Sequence, residues 1–289
     1  MRTNKQLRKE FPSVLDSAYE QYLRDLSRYK EVKDIMSKDV VTIAPEATMA
    51  EAAQAMGDKH IGSLIVTKYR TPVGIVTERD LLSKILALEK DPKDEKVEAT
   101  MSYPLTTISP TAKIKEAAQI MTQKKSRLTV FDAGKLTGII TASDLIRSLP
   151  EIPETEARVD DFMTKEIVTA DEKTPIAQIA KIMGKERIGS VLVTSKEKSI
   201  GIFTERDLLS SFLVKGKSLT AEVGKEASSP LITIPSGTSV HKAAATMALR
   251  HIRRLPIASK DKLEGIITAR DLVEAYAKEL HIPKSKRIS

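Results

Sequence analysis

Gly74-Ile75-Val76-Thr77-Glu78-Arg79-Asp80 is the stretch on which the fold turns, because its pattern returns three more times. The copies are Gly138-Ile139-Ile140-Thr141-Ala142-Ser143-Asp144, Gly201-Ile202-Phe203-Thr204-Glu205-Arg206-Asp207 and Gly265-Ile266-Ile267-Thr268-Ala269-Arg270-Asp271. Successive glycines lie 64, 63 and 64 residues apart. A repeat this regular marks one supersecondary unit used four times, so any ligand chemistry it carries is expected in up to four copies.

Outward from these turns the units read alike. Each opens with a short signal, such as Val32-Lys33-Asp34-Ile35-Met36 or Val159-Asp160-Asp161-Phe162-Met163. A β-branched run follows, Val40-Val41-Thr42-Ile43 in the first unit and Pro104-Leu105-Thr106-Thr107-Ile108 in the second, which reads as a strand. Met49, Ala52, Ala53 and Met56 then keep the spacing of one helix face. Ser63-Leu64-Ile65-Val66 and Val73-Gly74-Ile75-Val76 form a hairpin, and a closing helix starts at Thr77 and runs through Leu81-Leu82. Each unit is predicted to be β-α-β-β-α, with Met56, Met121, Met183 and Met247 at one shared core position.

The four copies are not equivalent. Residues 61–83 match 188–210 at 14 of 23 positions but match 125–147 at only 7 of 23. The order is A-B-A′-B′, which predicts two paired modules with a break at Leu149-Pro150-Glu151-Ile152-Pro153-Glu154. Ahead of the first unit, Phe11, Leu15, Ala18, Tyr22, Leu26 and Tyr29 follow a helical period, with Pro12 suited to a first turn. The predicted layout is a helical extension over 1–30, repeats over 31–88, 95–149, 158–215 and 221–278, and a basic tail over 279–289.

The bulk composition fits an ordinary globular chain of 289 residues, 41% hydrophobic and 30% charged. No apolar run approaches the ~20 residues of a membrane span, and the N-terminus carries no apolar signal core, so a cytoplasmic protein is expected. The absence of cysteine excludes disulfides, thiolate metal sites and cysteine nucleophiles. Of the net charge of +8, six units sit in residues 1–30 and 278–289, which leaves the repeats close to neutral. A nucleic-acid binder would instead show a basic stripe on its folded face.

At the recurring turn, Thr followed three residues later by an acid reads first as a helix capping box. A capping box needs neither the preceding Gly nor a strand running into it, and Glu would serve as well where all four copies use Asp. The other reading is a ligand site. A strand end feeding a helix N-terminus directs backbone N–H groups and the positive dipole end toward a phosphate. The Thr hydroxyl can bind phosphate or sugar, and the Asp carboxylate can accept from both hydroxyls of a ribose. Cap and ligand contact are compatible.

The repeat ending in Gly-h-x-Thr-x-x-Asp, where h is apolar, resembles the cystathionine-β-synthase (CBS) domain family over residues 31–278. Two pairs in one chain resemble the four-CBS proteins, which include archaeal CBS proteins and the gamma subunit of AMP-activated protein kinase. The resemblance implies an α/β (α+β) fold of four CBS repeats paired into two Bateman modules that bind adenosine-containing ligands. It implies ribose contacts by Asp80, Asp144, Asp207 and Asp271 and hydroxyl contacts by Thr77, Thr141, Thr204 and Thr268. It implies ligand contacts by Ile75, Ile139, Ile202 and Ile266 and, before the acids, by Arg79, Ser143, Arg206 and Arg270. Phosphate is implied at Arg127 in Ser126-Arg127-Leu128 and at Arg253 and Arg254 before Leu255. The odd repeats depart from this, with Ile61-Gly62-Ser63 and Ile188-Gly189-Ser190. Gly62 and Gly189 either admit a flat base close to the backbone or mark a bulge.

Enzyme motifs are missing. The four histidines (His60, His241, His251 and His281) show no metal-ligand spacing, Gly216-Lys217-Ser218 has Ser211 where a P-loop needs Gly, and no Gly-x-Ser-x-Gly elbow occurs. The expectation is a regulatory, non-enzymatic protein without a catalytic cofactor or metal. It takes AMP, ADP or ATP as ligand and acts through a homodimer or a protein partner. The rivals are a sensor of another adenosyl ligand such as S-adenosylmethionine, a nucleic-acid binder using the basic ends, and a purely structural dimerisation module.

Overall fold

The computed structural model describes residues 31–124, 127–148, 157–260 and 262–279. The expected N-terminal helix, the 149–154 break and the tail beyond residue 279 lie outside the described residues. A short helical turn α1 (Val32–Ile35) leads into repeat 1: β1 (Thr42–Ile43), α2 (Met49–Asp58), β2 (Ser63–Lys68), β3 (Thr71–Thr77) and α3 (Glu78–Lys84). Repeat 2 has a leading turn α4 (Val97–Thr100), then β4 (Thr107–Ile108), α5 (Ile114–Lys124), β5 (Leu128–Asp132), β6 (Lys135–Ile140) and α6 (Ala142–Arg147). Repeat 3 comprises β7 (Thr169–Asp171), α7 (Ile176–Lys185), β8 (Ser190–Ser195), β9 (Lys198–Thr204) and α8 (Glu205–Asp207). Repeat 4 comprises β10 (Ile234–Pro235), α9 (Val240–Arg250), β11 (Arg254–Ser259), β12 (Lys262–Thr268) and α10 (Ala269–Glu279). The β-α-β-β-α order is the one read from the sequence.

Every repeat holds a three-stranded sheet in which the first strand runs parallel to the second and the second antiparallel to the third. A parallel neighbour needs a crossover, and the opening helix supplies it. That helix buries one stripe in each copy: Met49, Ala52, Ala53 and Met56 in α2, and Ile176, Ile179, Ala180 and Met183 in α7. The recurrent methionines Met56, Met121, Met183 and Met247 are all buried, as their spacing predicts. The closing helix of repeat 3 departs from expectation. It widens into a π-type turn over Leu208–Val214, where Phe212 meets Phe203 edge-on at 6.1 Å between centroids.

The motif glycine has a backbone explanation. Each hairpin carries a bulge just before it, between Val66 and Thr67 in repeat 1 and at the matching place in the others. A chain segment then crosses the last strand directly over the glycine. Ile75 exchanges backbone hydrogen bonds with Ser102, Ile139 with Ser37, Ile202 with Ser228 and Ile266 with Thr164, at 2.8–3.1 Å. A Cβ on Gly201 would lie 2.7 Å from the Ser228 carbonyl oxygen, and one on Gly265 would lie 2.9 Å from that of Thr164. The crossing segments are exchanged between consecutive repeats. The opening of repeat 1 docks on repeat 2 and that of repeat 2 on repeat 1, and repeats 3 and 4 do the same. The opening signals, at the head of their own repeats in sequence, therefore pair with the last strand of the neighbouring repeat.

The helices join like with like. Repeats 1 and 3 form one compact unit, Asp39–Leu105 with Glu166–Ile232 (the odd unit). The described parts of Met1–Lys38, Thr106–Lys165 and Thr233–Ser289 form another, holding repeats 2 and 4 (the even unit). In the odd unit the exchange is reciprocal. Leu82 of α3 is buried in the core of repeat 3, and Leu209, its equivalent 127 residues on, is buried in the core of repeat 1. Gly57 admits Val214 and Gly184 admits Ala87 at these helix contacts. The even unit has one continuous core, with α5 against α10 and α9 against α6. The strong A to A′ match thus falls on two surfaces that pack against each other.

Two of the motif glycines separate backbone from side-chain clashes. Gly201→Ala drives its Cβ into a carbonyl oxygen, whereas in Gly74→Ala the nearest atom is the movable Met101 sulfur at 2.7 Å. Overpacking typically costs about 1–3 kcal/mol, and Gly201→Ala is expected at the upper end, with Gly74→Ala well below it. Thermal unfolding measures both; equal losses would show that the carbonyl is not the constraint.

Candidate functional site

All four Thr-x-x-Asp turns adopt one geometry. In repeat 1, Thr77 ends β3 in extended backbone and caps α3. Its amide and its hydroxyl both donate to Asp80 Oδ2, at 3.0 and 2.6 Å, and the Asp80 amide donates to Thr77 Oγ1 at 3.2 Å. Thr141 with Asp144, Thr204 with Asp207 and Thr268 with Asp271 repeat this reciprocal box, with hydroxyl–carboxylate distances of 2.7, 2.7 and 2.8 Å. Asp is nevertheless not required for the box. Thr48 and Glu51 at the start of α2 make the same three bonds with a glutamate, at 2.7, 2.9 and 3.2 Å.

The amides expected to face phosphate are largely engaged inside the protein. The first helical N–H of the closing helix donates to Gly62 O at 3.2 Å in repeat 1, to Gly189 O at 3.0 Å in repeat 3 and to Arg253 O at 2.9 Å in repeat 4. Gly62 and Gly189 thus supply carbonyls to the turn. The amides and carbonyls of Ile75, Ile139, Ile202 and Ile266 are likewise taken by the crossing segments, which leaves their half-buried side chains to meet a ligand.

The second carboxylate oxygen differs among the repeats. Asp80 Oδ1 is held by Lys84 at 2.7 Å, and Lys84 also donates to the Thr100 carbonyl. Asp144 Oδ1 is held by Arg147 at 2.6 Å. At the same offsets repeat 3 has Ser210 and Ser211, and repeat 4 has Glu274 and Ala275. Burial pushes the Asp271 carboxyl above the usual carboxylate range, against the pull of the Thr268 hydroxyl and amide, and Glu274 adds to the rise.

The basic residues are sorted by unit. Arg254 is the strand partner of Thr268, and Arg127 adjoins Leu128, whose partner Ile140 precedes Thr141. The odd unit has Ser63 opposite Thr77 and Ser190 opposite Thr204. Arg253 is half-buried and Arg270 exposed beside the repeat 4 turn. Arg79 and Arg206 do not stand alone: they bond Glu205 and Glu78 across the odd unit. Sequence reasoning missed these glutamates. The signal was the identical Thr-Glu-Arg-Asp in repeats 1 and 3, against Ala142 and Ala269 in the even repeats. Among the described residues, no group of three or more His, Asp or Glu could hold a metal ion, and no helix is long and apolar enough to cross a membrane.

The CBS domain model matches residues 32–87, 96–151, 159–214 and 222–278. The chain is 29% identical over 196 residues to the protein MJ1225 of Methanocaldococcus jannaschii, an alignment covering 63% of this chain and 69% of that one. It is 28% identical over 266 residues to MJ1404 of the same organism, covering 85% of this chain and 62% of the relative's length. The crystal structure of MJ1225, described as a proposed archaeal homolog of g-AMPK, superposes with a TM-score of 0.71 at 24% identity, over 86% of this chain and 100% of that one. A conserved protein from Pyrococcus horikoshii superposes at 0.60 with 22% identity, over 85% and 99%. At these identities the structural likeness establishes the fold.

Because Glu51 forms the same box, Asp→Glu at position 80, 144, 207 or 271 is expected to leave the melting temperature of the ligand-free protein nearly unchanged. Asp→Ala, which removes the carboxylate half of the box, is expected to cost ~1 kcal/mol. Thermal melts of the eight variants check this. Asp→Glu variants as unstable as Asp→Ala would mean that capping itself demands the shorter side chain.

Proposed function

The chain belongs to the CBS domain family, and we propose that it is a regulatory protein that binds adenine nucleotides and passes their occupancy to a partner or a second copy. The observation that carries the proposal is an aspartate at four equivalent helix starts where, in the same protein, a glutamate caps equally well. A cap does not select between the two acids; a ribose contact does, because one added methylene moves the carboxylate. The Thr hydroxyl, the outward carboxylate oxygen and the neighbouring arginines supply the side-chain recognition. Lys84 and Arg147 claim that oxygen in Asp80 and Asp144, which favours Asp271 over these two for ribose binding. Arg127, Arg253, Arg254 and Arg270 lie beside turns of the even unit, and Arg is the best partner for phosphate by charge and fork geometry. No catalytic role is assigned to any residue.

Calorimetry of the folded chain is expected to show AMP, ADP or ATP binding, with adenine preferred over guanine. Asp271→Asn should weaken binding on the order of tenfold, with smaller losses for Asp80→Asn and Asp144→Asn, whose outward oxygens Lys84 and Arg147 hold, since a hydrogen bond to a charged group is worth ~1.5–3 kcal/mol. No heat from any adenine nucleotide would refute the proposal, and heat from S-adenosylmethionine alone would transfer it to that ligand.

A further inference from the structure

The odd unit contains a charge cluster that neither the helix caps nor the ribose contacts use. Arg79 Nε donates to Glu205 Oε1 at 3.1 Å, and its Nη1 donates to the Arg187 carbonyl at 3.1 Å. Arg206 Nε donates to Glu78 Oε1 at 3.3 Å. The two ion pairs mirror each other. Each repeat supplies the glutamate at the first position of its closing helix and the arginine at the second, and each receives the other's. Glu78 and Glu205 are 4% and 8% exposed, while the arginine side chains are 46% and 42% exposed. The carboxylates are walled in; the guanidinium groups keep a face to solvent. Each arginine also directly precedes the aspartate of its own turn.

We propose that Glu78, Arg79, Glu205 and Arg206 form an anion-operated latch between the first and third repeats. The proposal rests on the nucleotide reading above and names how occupancy leaves the site. A guanidinium holds a phosphate best through two N–H groups on one edge, and the Nε–H of such an edge now holds a carboxylate in both arginines. Phosphate of a ligand seated at the repeat 1 turn therefore competes with Glu205 for Arg79. Phosphate at the repeat 3 turn competes with Glu78 for Arg206. Occupancy of one repeat releases a side chain of the other, so the seam responds to ligand by differential affinity for the paired and released arginines. A nucleoside, lacking phosphate, leaves the latch closed. Arg79, with its second bond to the Arg187 carbonyl, is the more firmly held of the two.

The crossed wiring gives the test, on the full chain, with ATP and adenosine as probes in calorimetry. Glu205→Gln removes the competitor for Arg79 and keeps the side-chain shape. ATP is expected to bind on the order of tenfold more tightly, with adenosine unchanged. That gain should vanish when Arg79→Ala is added and persist when Arg206→Ala is added. Glu78→Gln is the mirror variant, its gain erased by Arg206→Ala and not by Arg79→Ala, and it serves if Glu205→Gln does not fold. Unchanged or weaker ATP binding in the folded glutamine variants overturns the latch, as does a gain indifferent to which arginine is removed. If the parent binds ATP and adenosine equally well, the latch falls while adenosine recognition stands. If it binds neither, both proposals fall.

Discussion

The close backbone contact over each motif glycine sets the position of everything that follows it in the repeat. A side chain at Gly201 or Gly265 would collide with a carbonyl of the crossing segment, so only glycine allows the two-way bonds between Ile202 and Ser228 or Ile266 and Thr164. Those bonds hold the last strand to its end, where Thr204 and Thr268 turn the chain into the closing helix. Strand, cap and helix start are thus one rigid piece, fixed from above by a segment belonging to the neighbouring repeat. Rigidity of this kind is what a recognition turn built from short side chains requires.

Much of this was legible in the sequence because the repeat supplies four readings of each element. Spacing alone placed the opening-helix stripe at Met49, Ala52, Ala53 and Met56, and all four are buried. The order of strands and helices and the capped turn followed from local chemistry. The role of the glycine did not. Its presence before Thr77 argued for a ligand, yet its partner is Ser102 and the adjoining Met101, which lie in the next repeat. The partners of Arg79 and Arg206 were hidden for the same reason, since a contact 126 or 128 residues away leaves no local pattern. What the sequence did carry was the excess similarity of repeats 1 and 3, the trace of two surfaces shaped to meet.

That meeting divides labour between apolar and charged groups. Fully burying a leucine is worth about 1.5–3 kcal/mol, so the reciprocal Leu82 and Leu209 contribute more to this seam than its ion pairs. Ion pairs whose arginines are nearly half exposed contribute ~0–1 kcal/mol each. Their value lies in specificity. A seam with Glu-Arg on both sides is self-complementary, whereas the same face set against Ala142-Ser143 of repeat 2 would leave a buried carboxylate without its mate. Like therefore pairs with like, and the even unit, free of this requirement, can place its arginines beside the Thr turns.

The exchange of opening segments also sets how the chain can be made and how it can be altered. Ser37 is synthesised early, but Ile139, its bridge partner, follows 102 residues later, and repeat 1 itself waits for Ser102. During synthesis the first repeat stays incomplete until part of the second has emerged, a non-local closure of the kind that slows folding. The same interlock means that a cut at a repeat boundary robs two sheets rather than one. A cut between repeats 2 and 3, by contrast, spares both exchanges, so in this respect the consecutive pair, not the single repeat, is the indivisible piece of the chain.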